Sequence, residues 1–269
     1  MSRVRLAVLG DPLAYTRSPD LHRAGLAAVG LEAESVALPT AIETLPERLR
    51  GLAATGYTGV NLTHPLKESV IALLARVSPA AREARSVNTV GFAAEGWWGE
   101  TTDGPGFLDL IRTWGRDPAQ ERVVLLGGGA AARSLAASLL TAGAAVVVSV
   151  RRLDAAREVW RDLPRATLTA WRGAEESDGL ARATLVVNAT PGSSASEPIA
   201  PAALPAGGRA VDLTYGPQTT GWVRACRARG LEAEDGLGLL VHQARRSLSL
   251  WTGRDVPLEP LARAVGWPR

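Results

Sequence analysis

Of the 269 residues, thirty are Lys or Arg, and Lys67 is the only lysine among them. Arginine stays protonated under almost all conditions, whereas a lysine amine can release its proton when its surroundings favour that. One retained ammonium is therefore a candidate acid/base group. Lys67 lies in Gly59-Val60-Asn61-Leu62-Thr63-His64-Pro65-Leu66-Lys67-Glu68, directly after a β-rich run. Pro65 suits a helix start, which predicts Lys67 in a first helical turn at a strand end, where open α/β sheets present their chemistry. Asparagine is equally scarce: the three occur in Asn61-Leu-Thr63, Asn88-Thr89 and Asn188-Ala-Thr190. Amides and hydroxyls gathered at strand ends suit a polyhydroxylated ligand, and the same residue types also serve turns and caps.

A second chemistry is written at Gly127-Gly128-Gly129-Ala130-Ala131-Ala132, which fits G-x-G-x-x-A between a predicted strand and a predicted helix. The first glycine permits the tight turn, the second lets a pyrophosphate approach the backbone, and Ala132 lets the helix pack closely on the strand. The helix start then offers N–H groups and a positive dipole end to phosphate. An NAD site usually carries Asp or Glu some twenty residues on, to hold the ribose 2′-OH. Here that place reads Val150-Arg151-Arg152. A carboxylate would repel a 2′-phosphate, whereas paired guanidiniums grip it, so the spacing favours NADP. The alternative is a solvated arginine pair at a strand end.

These groups need a scaffold. Residues 4–9, 34–38 and 58–62 read as strands and 19–29 and 42–54 as helices, the first opened by Ser18; the alternation predicts a parallel sheet covered by helices. The pattern pauses at 97–102, after a predicted short hairpin. It restarts with strands at 122–126, 145–150, 184–188 and 210–213 and an Ala-rich helix reaching about residue 142, the signature of a doubly wound nucleotide domain. Residues 237–251 and 258–265 read as helices with no strand to follow, predicted to fold back on the first domain. The expected division is 1–103, 104–235 and 236–269.

Composition narrows the partners. An apolar fraction of 46% with 21% charged residues fits a soluble globular protein. The net charge is only +3 and no basic run exceeds two residues, which argues against nucleic acid. The single Cys226 excludes an intramolecular disulfide and a multi-cysteine metal site, and His22, His64 and His242 are too far apart to predict a zinc cluster, so no metal is expected. No apolar run has membrane-spanning length, and the first ten residues are too short for a signal peptide; a cytoplasmic protein is expected.

The chain also resembles the shikimate dehydrogenase family along nearly its whole length. Gly10-Asp-Pro-Leu-Ala-Tyr-Thr16-Arg-Ser18-Pro19-Asp-Leu-His22 is similar to the family's G-x-P-x-x-x-S-x-S-P-x-x-H, and Asn61-Leu-Thr63-His-Pro65-Leu-Lys67 to its N-x-T-x-P-x-K. Ser86-Val-Asn88-Thr89, Thr102-Asp103-Gly104, Asp212-Leu-Thr-Tyr215-Gly-Pro217 and Gly236-Leu-Gly-Leu-Leu-Val-His-Gln243 follow in family order. The resemblance implies an α/β protein of two domains, an N-terminal substrate domain and a Rossmann-like NADP domain, with reversible NADPH-dependent reduction of 3-dehydroshikimate. It implies Lys67 and Asp103 as the catalytic pair, and Thr16, Ser18, Thr63, Asn88, Asp103, Tyr215 and Gln243 around the substrate. Gly127, Gly128, Gly129, Ala130, Ala131, Arg151, Arg152, Thr190, Leu213 and Gly236 would line the cofactor. The protein would act as a monomer or homodimer. Thr16, Arg23, Arg85-Ser86, Thr101, Ala130, Val150, Arg152 and Gly192-Ser193-Ser194 depart from the family pattern. They leave open a diverged quinate/shikimate-type enzyme, or a binding protein without catalysis.

Overall fold

The computed structural model describes residues 3–13, 15–191 and 198–269. It divides into two compact units, Met1–Gly106 with Leu240–Pro268, and Phe107–Leu239 with Arg269. The Gly192-Ser193-Ser194 departure lies outside the described residues.

The first unit begins with β1 (Arg3–Gly10), α1 (Ser18–Ala28), β2 (Glu32–Pro39), α2 (Leu45–Ala54), β3 (Gly59–Leu62) and α3 (Leu66–Ser69). β4 (Arg76–Val77), α4 (Pro79–Glu83), β5 (Thr89–Gly91) and β6 (Trp98–Glu100) follow. The sheet order is β2-β1-β3-β5-β6-β4. β1, β2 and β3 are parallel, but β5 runs antiparallel to both β3 and β6, so the sheet is mixed rather than parallel. The reason is local. Between β3 and β5 the chain forms only short pieces, and no helix there is long enough to carry it back across the sheet. Residues 97–102 therefore include the second strand of the hairpin instead of following it.

This mixed arrangement has a consequence for position. The carboxyl ends of β1, β3 and β6 and the amino end of β5 all meet one edge of the sheet. Thr16, Thr63, Asn88 and Asp103 each follow or precede one of those ends. Alternate residues Ala7 and Leu9 of β1 and Val60 and Leu62 of β3 pack with Leu45, Leu49 and Leu52 of α2, fixing the strand register beneath that edge.

At the turn into β5, Arg85 takes a left-handed φ of +47°, a conformation that favours glycine. The next residue, Ser86, is fully buried, and its hydroxyl meets no hydrogen-bond partner among the described residues. Ser86→Ala is therefore expected to raise stability by about 1 kcal/mol, since a buried unpaired hydroxyl is removed without opening a cavity. A thermal melt that moves down, or does not move, would show the hydroxyl to be satisfied.

The second unit follows α5 (Asp103–Thr113), whose first residues belong to the first unit. It contains β7 (Arg122–Leu126), α6 (Ala130–Ala142), β8 (Ala145–Val150), α7 (Leu153–Val159), β9 (Thr167–Ala170) and α8 (Ala174–Arg182). β10 (Leu185–Asn188), β11 (Arg209–Asp212), α9 (Gly221–Ala228) and β12 (Glu232–Asp235) complete it. The order β12-β11-β10-β7-β8-β9 is all parallel, a doubly wound sheet whose strand order reverses between β7 and β10.

The chain then forms α10 (Leu237–Thr252) and α11 (Leu258–Val265), which from Leu240 onward belong to the first unit. A Cβ at Gly25 of α1 would stand 2.5 Å from Leu248 and 3.0 Å from Leu261, so glycine there lets the three helices close up. On β3, Gly59 accommodates the Trp251 indole, whose Nε1 donates to the Val90 carbonyl at 3.0 Å.

Candidate active site

Lys67 is the second residue of the short α3, which Pro65 precedes. Its Nζ donates to Asp103 Oδ2 at 2.6 Å, and the two side chains are only 14% and 8% exposed. Both belong to the first unit. Asp103 opens α5, where a carboxylate also complements the amino end of the helix. The backbone holds the lysine from behind: the Lys67 carbonyl accepts from the Val87 N–H at 2.8 Å, tying α3 to the segment that presents Asn88.

Asn88 organises the carboxylate. Its Nδ2 lies 2.9 Å from Asp103 Oδ1, 2.9 Å from Thr102 Oγ1 and 3.2 Å from Gln243 Oε1. Its Oδ1 accepts from the Thr102 N–H at 2.7 Å. Gln243 arrives on α10, where its Nε2 donates to the Leu240 carbonyl at 2.9 Å, so its oxygen is the atom presented to Asn88. The approach is tight: a Cβ at Gly106 of α5 would come 2.8 Å from the Gln243 backbone nitrogen.

A buried chain of polar groups underlies this arrangement. Asn61 Nδ2 reaches the Asn88 carbonyl at 3.0 Å, Ser247 Oγ at 3.1 Å and Thr89 Oγ1 at 3.2 Å. Ser247 Oγ lies 2.7 Å from Thr89 Oγ1 and 3.1 Å from Thr102 Oγ1. Asn61 Oδ1 lies 2.9 Å from His22 Nε2, and His22 Nδ1 lies 2.8 Å from Ser35 Oγ. Sequence reasoning missed Ser247; its place four residues after Gln243 puts both on one helix face and was the available signal.

Burial pushes the His22 imidazole down to about 4, with Arg23 adding to the effect and the Asn61 bond opposing it. The native state thus holds His22 neutral, while the unfolded chain takes up a proton near pH 6.5. The stability that His22 contributes is complete above pH 6.5 and is lost as pH falls through about 4, by up to about 3 kcal/mol. Denaturant melts between pH 7 and 4 are expected to fall more steeply for the wild type than for His22→Gln. Equal slopes would remove His22 as the cause.

Of the other residues singled out in the sequence, Thr16 and Ser18 meet at the start of α1: the Ser18 N–H donates to Thr16 Oγ1 at 3.2 Å, and the two hydroxyl oxygens are 3.3 Å apart. Thr63 follows β3 with its N–H on the Leu9 carbonyl at 2.9 Å, and its methyl occupies the space that a Cβ at Gly10 would need. Tyr215 lies in the second unit. Asn188 does not join the other two asparagines. It too lies in the second unit, where its Nδ2 donates to Asp212 Oδ1 at 2.9 Å and its Oδ1 accepts from Thr190 Oγ1 at 2.6 Å. Burial raises the Asp212 carboxyl above the usual range, with hydrogen bonds from Thr220, Thr214 and Asn188 opposing that rise.

At the strand-order reversal of the second unit, Gly127 has φ +104°, and a Cβ there would press on Ala189 and Thr190 at 3.1 Å. A Cβ at Gly128 would come 2.8 Å from Val150. Gly129 precedes α6, and no side chain caps that helix, which leaves the N–H groups of Ala130 and Ala131 without intrahelical partners. Arg151 and Arg152 follow β8, both exposed and unpaired with any described acidic residue. Leu213 and Gly236 touch closely, with a Cβ at 236 falling 2.2 Å from the Leu213 carbonyl oxygen. A cradle without Cβ atoms, an uncapped helix start and two unengaged guanidiniums fit a dinucleotide carrying a 2′-phosphate.

Comparison with known proteins agrees with this geometry. Family models match residues 8–90 to the shikimate dehydrogenase substrate binding domain, 116–217 to a putative NAD(P)-binding domain, and 236–265 to the shikimate 5′-dehydrogenase C-terminal domain. Shikimate dehydrogenase (NADP(+)) of Microcystis aeruginosa is 34% identical over 272 residues, covering 97% of this chain and 95% of that one. Shikimate 5-dehydrogenase of Thermus thermophilus, solved in complex with NADP(H) and shikimate, superposes with a TM-score of 0.87 at 34% identity over 98% of both chains. The ligand-free 5-ketofructose reductase of a Gluconobacter strain matches with a TM-score of 0.82 at 27% identity over 98% of both chains. The fold and site define an α/β protein of two units, one with a nucleotide-binding sheet. The chain belongs to the shikimate dehydrogenase family.

Proposed function

We infer that this chain interconverts 3-dehydroshikimate and shikimate with NADPH and NADP, within aromatic amino-acid biosynthesis. The observation that carries the reading is the Lys67 ammonium held 2.6 Å from Asp103, in a chain of this family. We assign the substrate to the unit of residues 1–103 with the helices of 236–269, and the cofactor to 104–235.

Gly127, Gly128 and Gly129 with the N–H groups of Ala130 and Ala131 would hold the pyrophosphate, Arg151 and Arg152 the 2′-phosphate, and Thr190, Leu213 and Gly236 the remainder of the cofactor. When bound there, the reduced nicotinamide supplies the hydride. The chain supplies the rest. As negative charge grows on the carbonyl oxygen, the Lys67 ammonium stabilises it and delivers the proton that completes the alcohol. Asp103 orients that ammonium and accepts a hydrogen bond from the neighbouring ring hydroxyl. Thr16 and Ser18 would receive the substrate carboxylate through their hydroxyls. Thr63, Asn88 and Gln243 would meet the ring hydroxyls, and Tyr215 takes its role from the family resemblance alone.

The direct test is absorbance at the reduced-nicotinamide band with shikimate and either NADP or NAD. Rapid turnover with shikimate and NADP is expected, and slow turnover with NAD. A strict preference for quinate or NAD would overturn the assignment of substrate or cofactor. The extra methyl of Thr16 and the 27% likeness to a 5-ketofructose reductase favour one second reading, a related polyhydroxylated ketone as substrate. Turnover of such a ketone with none of 3-dehydroshikimate would establish it. The reading also expects a cytoplasmic enzyme, monomeric or homodimeric. Size-exclusion chromatography decides between the two assemblies.

A further inference from the structure

Arg269 belongs to the second unit, although the 29 residues before it, Leu240–Pro268, belong to the first. Its guanidinium joins two segments that are far apart in sequence. Nε and Nη2 both reach Asp235 Oδ2, at 3.1 and 2.5 Å, while Nη2 donates to the Gly216 carbonyl at 3.0 Å and Nη1 to the Pro217 carbonyl at 3.3 Å. Asp235 is 3% exposed, and its other oxygen accepts from the Leu237 N–H at 3.2 Å, at the start of α10. Arg269 is in turn anchored through its main-chain oxygen, which accepts from Arg227 Nη2 at 2.8 Å. Arg227 Nε also binds the Ala233 carbonyl at 2.8 Å.

The segments so joined are the two that press on one another at Gly236. The Gly236 N–H donates to the Thr214 carbonyl at 3.1 Å, and a Cβ at 236 would stand 2.2 Å from the Leu213 oxygen and 3.3 Å from Tyr215 Cδ1. Two carbonyl groups and a buried carboxylate converging on one planar, five-donor cation is the arrangement a guanidinium satisfies and an ammonium does not. The family regions matched to this chain end at residue 265.

We propose that Arg269 is a positioning residue: its guanidinium clamps the 213–217 segment against 235–237 and so sets Tyr215 and Leu213 for substrate and cofactor. The role of those two residues rests on the function proposed above; the clamp itself rests on the contacts of Arg269. The test compares the wild type, Arg269→Ala and Arg269→Lys, well below the melting temperature of each. Amide hydrogen exchange across 213–217 is expected to quicken by about tenfold in Arg269→Ala, the scale of one lost charge-assisted bond. KM for shikimate or NADP should rise by a similar factor with a smaller change in kcat, and Arg269→Lys should recover part of each effect.

Unchanged exchange in Arg269→Ala would overturn the clamp. Faster exchange with both KM values at the wild-type level would overturn the positioning role, because a merely structural bond loosens the loop without moving affinity. A wild type inert on shikimate would instead overturn the proposed function and the positioning role with it, and the exchange data would still decide whether the guanidinium holds the loop.

Discussion

Lys67→Ala is expected to lower kcat by at least about 10²-fold, the lower end of what lost acid–base assistance costs. Two contributions disappear together: the cation beside the developing alkoxide and the proton that neutralises it. The substitution also leaves Asp103 buried without its partner, and an uncompensated buried carboxylate destabilises a fold. Turnover must therefore be measured on protein shown to be folded by circular dichroism at the assay temperature. Lys67→Arg separates the two contributions, since it keeps a positive charge but not an amine that gives up its proton readily. It should remain at least about tenfold slower than the wild type. Near-normal kcat in Lys67→Ala would remove this residue from the chemistry.

The second large effect concerns stability. Asn61→Ala is expected to cost about 3 kcal/mol or more, because several penalties coincide in one buried place. His22 Nε2 loses its 2.9 Å partner, Ser247 and Thr89 lose the amide that donates to them, and a small cavity opens beside His22. Asn61 also supports the Asn88 carbonyl, so the variant should lower kcat as well as the urea midpoint. A midpoint within experimental error of the wild type would show that the chain of polar groups closes without Asn61. The ordering of effects is informative in itself. Lys67 should affect rate more than stability, and Asn61 stability more than rate.

Much of this was legible beforehand, for identifiable reasons. The strand at 122–126, the glycines after it and the strand at 145–150 are long apolar runs broken by an unambiguous turn, and the structure has them with the bounds expected. β9 and β12 were missed because they are edge strands with polar sequences, TLTA and EAED. In β12 the inward residues are Ala233 and Asp235, so the period-two signal is hidden by a buried carboxylate whose partner, Arg269, lies 34 residues on. β5 was not placed beforehand for a related reason: at three residues, Thr89–Gly91, it is too short to show a period-two signal. The expectation of a parallel sheet was drawn from the strand and helix alternation before it, which does not encode the antiparallel return.

The candidate site shows the same division. Lys67 stood out because one lysine among so many arginines is a compositional anomaly, and Asp103 came from the resemblance. That Asn88 would bridge Asp103, Thr102 and Gln243 was not legible. It depends on α10 returning Gln243 to within 3.2 Å of a residue 155 positions earlier in the chain, and Ser247 to within 2.7 Å of one 158 positions earlier. Scarcity singled out the asparagines, and the structure joins Asn61 and Asn88 in one hydrogen-bonded cluster, but scarcity alone could not sort those two from Asn188, which lies in a different unit.

The pairing of the lone lysine with Asp103 has a practical corollary. Expressed with ¹⁵N-lysine, the chain carries a single labelled side-chain nitrogen, and the bond to Asp103 should hold it in one environment that gives one magnetic-resonance signal. The chain thus contains its own spectroscopic probe, able to register ligand arrival and proton departure at one atom without any added reporter group.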